Sequence, residues 1–314
     1  MVRRKAIIMI AAVVLGGGGW SRADTFHFQQ GAADPCHPEF GIYTDGHDLT
    51  IADTSIPAYI QWVNNNPNRL RTKYQSGAEK FNALVRFEGI ENILQERTVI
   101  EARISLTYQH ENVAWAPATI DVHPLSKTWD DPNCDWDYAD KETSLLWDVP
   151  GAQHDPNDRG ALISSTAMGY RAGYPVWIQY DDGKQYHFPL SGEILERWIN
   201  EPESNNGVII IMNHAAATDV TFSSNEDSDS TTHPMLTVET CMTIPADINR
   251  DCYVEFDDLE ILAGQWLQEP GIPSADIAPE GGDNIVDMLD FALLANQWLA
   301  CSDPSNENCL WGDE

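Results

Sequence analysis

Residues 98–110 read TVIEARISLTYQH. Val, Ile, Thr and Tyr dominate this stretch and partly alternate with polar residues, which is the pattern of a half-buried β-strand. Similar runs lie on either side: 82–90 (NALVRFEGI) and 118–125 (ATIDVHPL), then 174–180 (YPVWIQY), 207–213 (GVIIIMN), 219–224 (DVTFSS) and 235–240 (MLTVET). Each is bounded by Gly, Pro, Asn or Asp, the residues that break strands into turns. Only 191–200 (SGEILERWIN) reads as a helix, with Ile194, Leu195 and Trp198 on one face. Many short strands and one helix over residues 24–240 predict a mainly β chain, a β-sandwich rather than a set of βαβ units.

The chain has 314 residues, 49 acidic and 18 basic, for a formal charge of −31. With 42% hydrophobic residues and 11 Trp it has ample material for a packed core. So acidic a surface cannot release counterions from phosphates, which excludes nucleic acid as a partner. Cations and neutral polymers such as polysaccharide remain. Residues 1–23 carry a basic start (Arg3, Arg4, Lys5), an apolar run over 6–15 and small residues at Ser21 and Ala23. That is the three-part pattern of a secretory signal, and its apolar run is too short to span a bilayer of ~30 Å. No later stretch has the length of a membrane span, so the expected product is secreted, to the medium or the cell surface.

The six cysteines, Cys36, Cys134, Cys241, Cys252, Cys301 and Cys309, suit an oxidising compartment. There is no C-x-x-C pair, so the spacing predicts no zinc site. Cys301 and Cys309 bracket a turn-rich segment and could close it locally, but six cysteines allow 15 pairings.

From residue 241 the character changes. Residues 241–314 hold 16 acidic residues and one base, Arg250. Residues 253–267 (YVEFDDLEILAGQWL) recur at an offset of 32 as 285–299 (IVDMLDFALLANQWL). Leu259, Leu262 and Trp266 return as Phe291, Leu294 and Trp298, so each copy makes a short helix with one apolar face. Ahead of the first helix, residues 247–258 (DINRDCYVEFDD) place oxygen-bearing side chains at loop positions 1, 3, 5, 9 and 12. Calcium takes six to eight oxygens, and this spacing wraps them around one point. The expected ligands are Asp247, Asn249, Asp251, the Tyr253 carbonyl, Glu255 and Asp258. Cys252 stands where such loops carry Gly, which strains the turn or ties it by a disulfide. The second loop, 276–290, is three residues longer, and its expected ligands are Asp276, Asp283, the Ile285 carbonyl, Asp287 and Asp290.

Two such loops, each followed by a helix, resemble a type I dockerin domain over about 245–299. Dockerins are small α-helical calcium-binding modules that dock secreted proteins onto a cohesin, so the resemblance implies Ca²⁺ as cofactor and a cohesin-like protein partner. Glu260-Ile261 and Ala292-Leu293 stand where dockerins carry a small or polar recognition pair.

Residues 24–30 (DTFHFQQ), 82–89 (NALVRFEG), 98–107 and 120–129 (IDVHPLSKTW), followed by 194–200 (ILERWIN), 206–211 (NGVIII) and 222–238 (FSSNEDSDSTTHPMLTV), resemble in their order the DNRLRE domains. These are β-sandwich modules similar to carbohydrate-binding modules, so the likeness implies a jelly-roll-like sandwich. Residues 68–71 (NRLR) are read as loop, and 53–66 and 130–159 as insertions. The domain plan is thus a signal at 1–23, a DNRLRE-like sandwich at 24–240, a dockerin-like module at 241–300 and a Cys-containing tail at 301–314.

Asp130, Asp131, Asp135, Asp137, Asp140 and Glu142 form an acidic stretch that reads as a solvated loop rather than a glycosidase pair. His123 reads as a strand histidine, and His154 and His187 lie beside turns. No G-x-S-x-G, H-E-x-x-H or nucleophilic Cys beside a base is present, so no catalytic residue is predicted. Trp115, Trp129, Trp136 and Trp147 cluster around the same stretch, and Trp115 and Trp136 are the candidates for stacking on sugar rings. The function expected is a secreted, non-catalytic carbohydrate-binding component of polysaccharide degradation. The alternatives are a structural surface or adhesion protein, and a glycan-active hydrolase or lyase.

Overall fold

The computed structural model describes residues 24–109, 118–131, 133–168, 170–172, 177–179, 183–213, 219–279 and 281–302. The expected signal, Trp115, Cys309 and most of the 174–180 stretch lie outside them. The β region contains β1 (Asp24–Gln29), β2 (Gly46–Ala52), β3 (Arg69–Gln75), β4 (Ala78–Phe87) and β5 (Arg97–Gln109). These are followed by β6 (Ala118–Pro124), β7 (Tyr138–Asp140), β8 (Leu145–Leu146), β9 (Ser164–Met168), β10 (Tyr170–Ala172), β11 (Trp177–Gln179) and β12 (Gln185–Leu190). The last three are β13 (Val208–Met212), β14 (Asp219–Ser223) and β15 (Met235–Met242). Eleven of them form one sheet in the order β1-β15-β5-β14-β3-β4-β13-β6-β9, with β12 joined to β5 and β2 to β4. Every pairing in it is antiparallel. The chain is mainly β, and the sheet curls on itself so that Thr166 on β9 reaches the His187 carbonyl on β12 through its hydroxyl, 3.3 Å.

Phe26, Phe28, Ala102, Ile104, Leu106, Tyr108, Phe188, Phe222, Leu236 and Val238 meet inside the curl, joined there by Val208, Ile210 and Met212 of β13. The alternate residues of β4 and β13, Leu84, Ile209 and Ile211, face outward into a second core with Leu125, Trp129, Trp136 and Trp147. A strand covered on both faces needs apolar residues throughout, which is why β13 reads VIIIM without a polar break. Residues 130–159 are therefore a cap over the outer face of the sheet, not a solvated loop. Its carboxylates make its turns: buried Asp158 accepts from the Asp148, Val149 and His154 amides and pairs with Lys127 at 3.0 Å. Gly151 sits at φ +86°, and a Cβ there would fall 2.7 Å from the Trp136 ring, so the indole packs on bare backbone.

Residues 68–71 are not a loop. Arg69–Gln75 is a strand, and its buried Arg71 pairs with Asp219 and lies 4.4 Å over the Trp62 ring. Trp62 comes from α1 (Pro57–Asn65), which occupies most of the stretch read as an insertion. Proline at the first helical turn starts it, and Tyr59 and Trp62 hold it against Phe81. After the single turn α2 (Glu91–Leu94) comes the expected helix, α3 (Gly192–Asn200), with Leu195, Trp198 and Ile199 buried. The last two helices are α4 (Phe256–Gly264) and α5 (Met288–Asn296), which share a small core of Ile244, Ile248, Val254, Leu262, Val286 and Leu294. No helix among the described residues is long and apolar enough to cross a membrane.

Asp158→Ala should remove about 3 kcal/mol of stability, because it leaves three amides and the Lys127 ammonium without their buried acceptor. Urea unfolding of the variant beside the parent chain measures this.

Candidate metal centre

Loop 247–258 is built by carboxylates that accept backbone amides. Asp247 takes the Asp251 amide at 3.0 Å and the Cys252 amide at 2.8 Å. Asp251 takes the Tyr253 amide at 3.0 Å. Asp258, fully buried, takes the Ile248, Asn249 and Glu255 amides at 2.7, 3.2 and 2.9 Å. Asn249 lies against Asp251, its Nδ2 donating at 2.8 Å. The loop thus gathers Asp247, Asn249, Asp251 and Asp258 about one turn. Glu255 stands exposed at the helix N-cap, and half-buried Tyr253 bridges across to Cys301.

The second loop repeats the carboxylate–amide bonds of the first despite its three extra residues, without a counterpart of the Asn249–Asp251 contact. Asp276 takes the Asp283 and Asn284 amides at 3.1 and 2.8 Å, and Asp283 takes the Ile285 amide at 3.1 Å. Asp290, fully buried, takes the Ile277, Ala278 and Asp287 amides at 2.7, 2.8 and 2.7 Å. Cys252 at φ +74° and Asn284 at φ +70° occupy the same left-handed position. The three extra residues fall between Asp276 and Asp283, and the turn after them is intact.

The copies also clasp each other. Val254 pairs with the backbone of Leu299 and Ala300 after the second helix, and Val286 with Leu267 and Gln268 after the first. Phe256 sits edge-on to Trp298, and Trp266 edge-on to Phe291. Gln297 caps the Ala246 amide and Gln265 the Ala275 amide, at 2.9 and 3.1 Å. These glutamines were missed as structural residues, although the repeated Gln-Trp-Leu at 265–267 and 297–299 carries the signal.

Burial and then the charges of Asp251 and Asp258 push the Asp247 carboxyl up to about 6, against the pull of the two amides it accepts. An all-oxygen donor set of like charges is of the type that a hard divalent cation such as calcium takes, although Asp247, Asp251 and Asp258 accept backbone amides here and are not all drawn within 4.8 Å of one another. Asp247, Asn249, Asp251 and Asp258 would hold the ion in the first loop; Asp276, Asp283 and Asp290 are their counterparts in the second. Cys252 is tied to Cys241 by a disulfide and also holds a left-handed φ of +74°, so the tie and the strained turn expected at this position are both present. Cys301 is disulfide-bonded as well.

The expected sugar platform does not form as read. Trp136 is 6% exposed, packed with Trp129, Trp147 and Cys134 against the sheet, so it offers no free face to a sugar ring. The outward side chains Leu84, Ile209 and Ile211 need covering, and the indoles of the cap supply that cover. Trp115 lies outside the described residues. Nor do the acidic residues of the cap pair up: Asp135 accepts the Asp137 and Tyr138 amides, Asp140 accepts Glu142, and Asp137 accepts the Thr54 hydroxyl. Elsewhere Asp48, buried on β2, has one carboxylate oxygen without a partner, and burial and the Glu226 charge hold its carboxyl well above the usual range. No protein-family model matches the chain, and neither does any curated protein.

Replacing Cys252 by Gly and Cys241 by Ser together keeps the left-handed turn free of strain and removes only the cross-link. Loop-closure entropy over a separation of 11 residues predicts a loss of about 2.8 kcal/mol. The check is urea unfolding of the double variant beside the parent chain in calcium.

Proposed function

We propose that this is an exported, non-catalytic binding protein, in which a β module is attached through a calcium-dependent, dockerin-like docking module. The carrying observation is the pair of loops with matched carboxylate–amide patterns around an oxygen-only donor set. Near this pair, Phe256, Leu267, Met288 and Leu299 are more than 60% exposed. An open groove of about 460 Å³, lined by Leu259, Leu262, Ala263, Trp266, Met288 and Phe291, runs between α4 and α5. Apolar exposure on this scale in an acidic chain suits a protein partner, and a cohesin-like one is the partner that the dockerin likeness implies.

The DNRLRE likeness makes the β module a glycan-binding unit in polysaccharide degradation. A groove of about 710 Å³ beside α3 offers a place for the polymer, with Glu193, Arg197, Glu203 and Asn206 in its lining. No aromatic ring lines it, so hydrogen bonding would hold the sugar there. Burial of Trp136 favours one second reading, a surface or adhesion protein without glycan affinity. A glycan array run in calcium separates the two: signal on neutral polysaccharides is the expected result, and a blank array assigns the adhesion role. Absence of reducing-sugar release from the same polymers is expected of a non-catalytic module.

Calcium at ~100 times its dissociation constant should raise the stability of the module by roughly 2.7 kcal/mol over chelator, and occupancy of the second loop adds to this. Five acidic residues between Asp247 and Asp258 crowd one turn, and so small a core cannot override their repulsion. In Asp258→Ala the calcium-dependent gain should shrink most. Thermal melting of the full chain in calcium and in chelator reads it, and superimposable curves for the parent chain would overturn the assignment.

A further inference from the structure

At the open end of β1, three different ligand types converge within ten residues of sequence. One ring nitrogen of His27, one carboxylate oxygen of Asp34 and the Cys36 sulfur lie within 4.8 Å of one another. Among the described residues no other group of three or more His, Cys, Asp or Glu side chains is drawn so close. Asp34, 7% exposed, organises the group: it takes the His27 amide at 2.8 Å and the Cys36 amide at 2.8 Å, and it faces His27 Nδ1 at 3.2 Å. The carboxylate therefore fixes both ligand-bearing backbones before any ion arrives.

Cys36 is anomalous in its own right. Cys241, Cys252 and Cys301 are disulfide-bonded, and Cys134 is buried with its thiol pushed up by desolvation. Cys36 alone among the described cysteines is exposed and unpaired. A free thiol held beside a histidine and a carboxylate is a ligand set for a borderline-soft ion, unlike the oxygen-only loops of the C-terminal region.

We infer that His27, Asp34 and Cys36 form a zinc site with three protein ligands. Binding replaces the thiol proton, which passes to solvent, so thiolate and carboxylate together neutralise Zn²⁺ while the imidazole stays neutral. Charge balance of this kind lets the ion sit beside a buried carboxylate without a further counter-ion. Three protein ligands leave a fourth position for water, and a cavity of about 220 Å³ lined by His27, Asp34, Phe40 and Tyr43 adjoins the group. Phe26 stacks on His37 at 4.2 Å, and His37 pairs with Glu39 at 3.2 Å, which props the turn that follows Cys36.

The test uses the full chain saturated with calcium, so that the C-terminal loops are filled, and titrates Co²⁺ and then Zn²⁺. Co²⁺ should produce the near-ultraviolet thiolate-to-cobalt band, which Zn²⁺ abolishes by displacement. In Cys36→Ser the band should be absent. In His27→Gln, Zn²⁺ affinity measured by calorimetry should fall at least about tenfold. Zn²⁺ should also protect Cys36 from maleimide, read by mass spectrometry. Both variants alter accessible side chains, and far-ultraviolet circular dichroism confirms that they fold. No thiolate band in the parent chain, a band that survives Cys36→Ser, or Cys36 labelling unaffected by Zn²⁺ each overturns the site. Asp258→Ala should leave the band unchanged, so this result and the calcium result fail independently.

Discussion

Strand β5 is the member on which the β region depends. Its 13 residues, about 40 Å at ~3.3 Å each, pair with β15 on one side and β12 on the other, then with β14 at the far end. One strand thus belongs to both limbs of the curled sheet. Ala102, Ile104, Leu106 and Tyr108 point from it into the common core, and all are nearly inaccessible to water. A register slip of one residue would turn this row outward and pull both limbs with it.

Elsewhere the chain solves a problem set by its own composition. So many carboxylates would repel one another on a smooth surface, yet the best buried of them are structural. Asp158 gathers the cap, Asp258 and Asp290 gather the two loops, and each does so by accepting backbone amides that no helix or strand satisfies. Charge-assisted bonds of this type are stronger than bonds between neutral groups, and they let irregular backbone pack tightly. The acidity of the chain is thus partly used inside the fold.

Legibility followed the reach of each signal. The strands around 82–90, 98–110, 207–213, 219–224 and 235–240 were plain because their β-branched runs are local. Helix α3 was plain because Ile194, Leu195 and Trp198 fall on one face. Strand β3 was hidden because Leu70 is the one buried apolar side chain it gives to the main core, and Arg71, buried on the other face, signals a core position only when its partners Asp219, Trp62 and Phe81 are known. Helix α1 was hidden by its length of nine residues and by the lack of a fully buried stripe. Trp136 was misjudged because sequence proximity to aspartates suggested solvent, whereas those aspartates are bonded to backbone beneath it. In the first loop Asp247, Asn249, Asp251 and Asp258 fall about one turn, because their spacing constrains the backbone locally, whereas Glu255 and Tyr253 stand apart from them. The disulfide that replaces a glycine was not legible, since Cys241 and Cys252 could each have had other partners.

That disulfide ties the first loop to the β region at a specific place. Cys241 lies in β15 opposite Thr98 of β5, so the bridge runs from the loop into the strand paired alongside the one that both limbs share. Thr243 donates its amide to the Glu96 carbonyl at 3.1 Å, and Ser302 reaches back to the Met242 carbonyl at 2.7 Å. Arg250, the single base of residues 241–314, pairs with Glu196 of α3 at 3.0 Å. A flexible tether would let two modules tumble independently, whereas these contacts hold the middle of the loop, at Arg250 and Cys252, against α3 and β15. An ion bound in the loop, as proposed, would therefore also order the junction with β15 and α3. On the proposed reading, the position of the first loop would make metal occupancy a constraint on how the β module is held relative to α4 and α5.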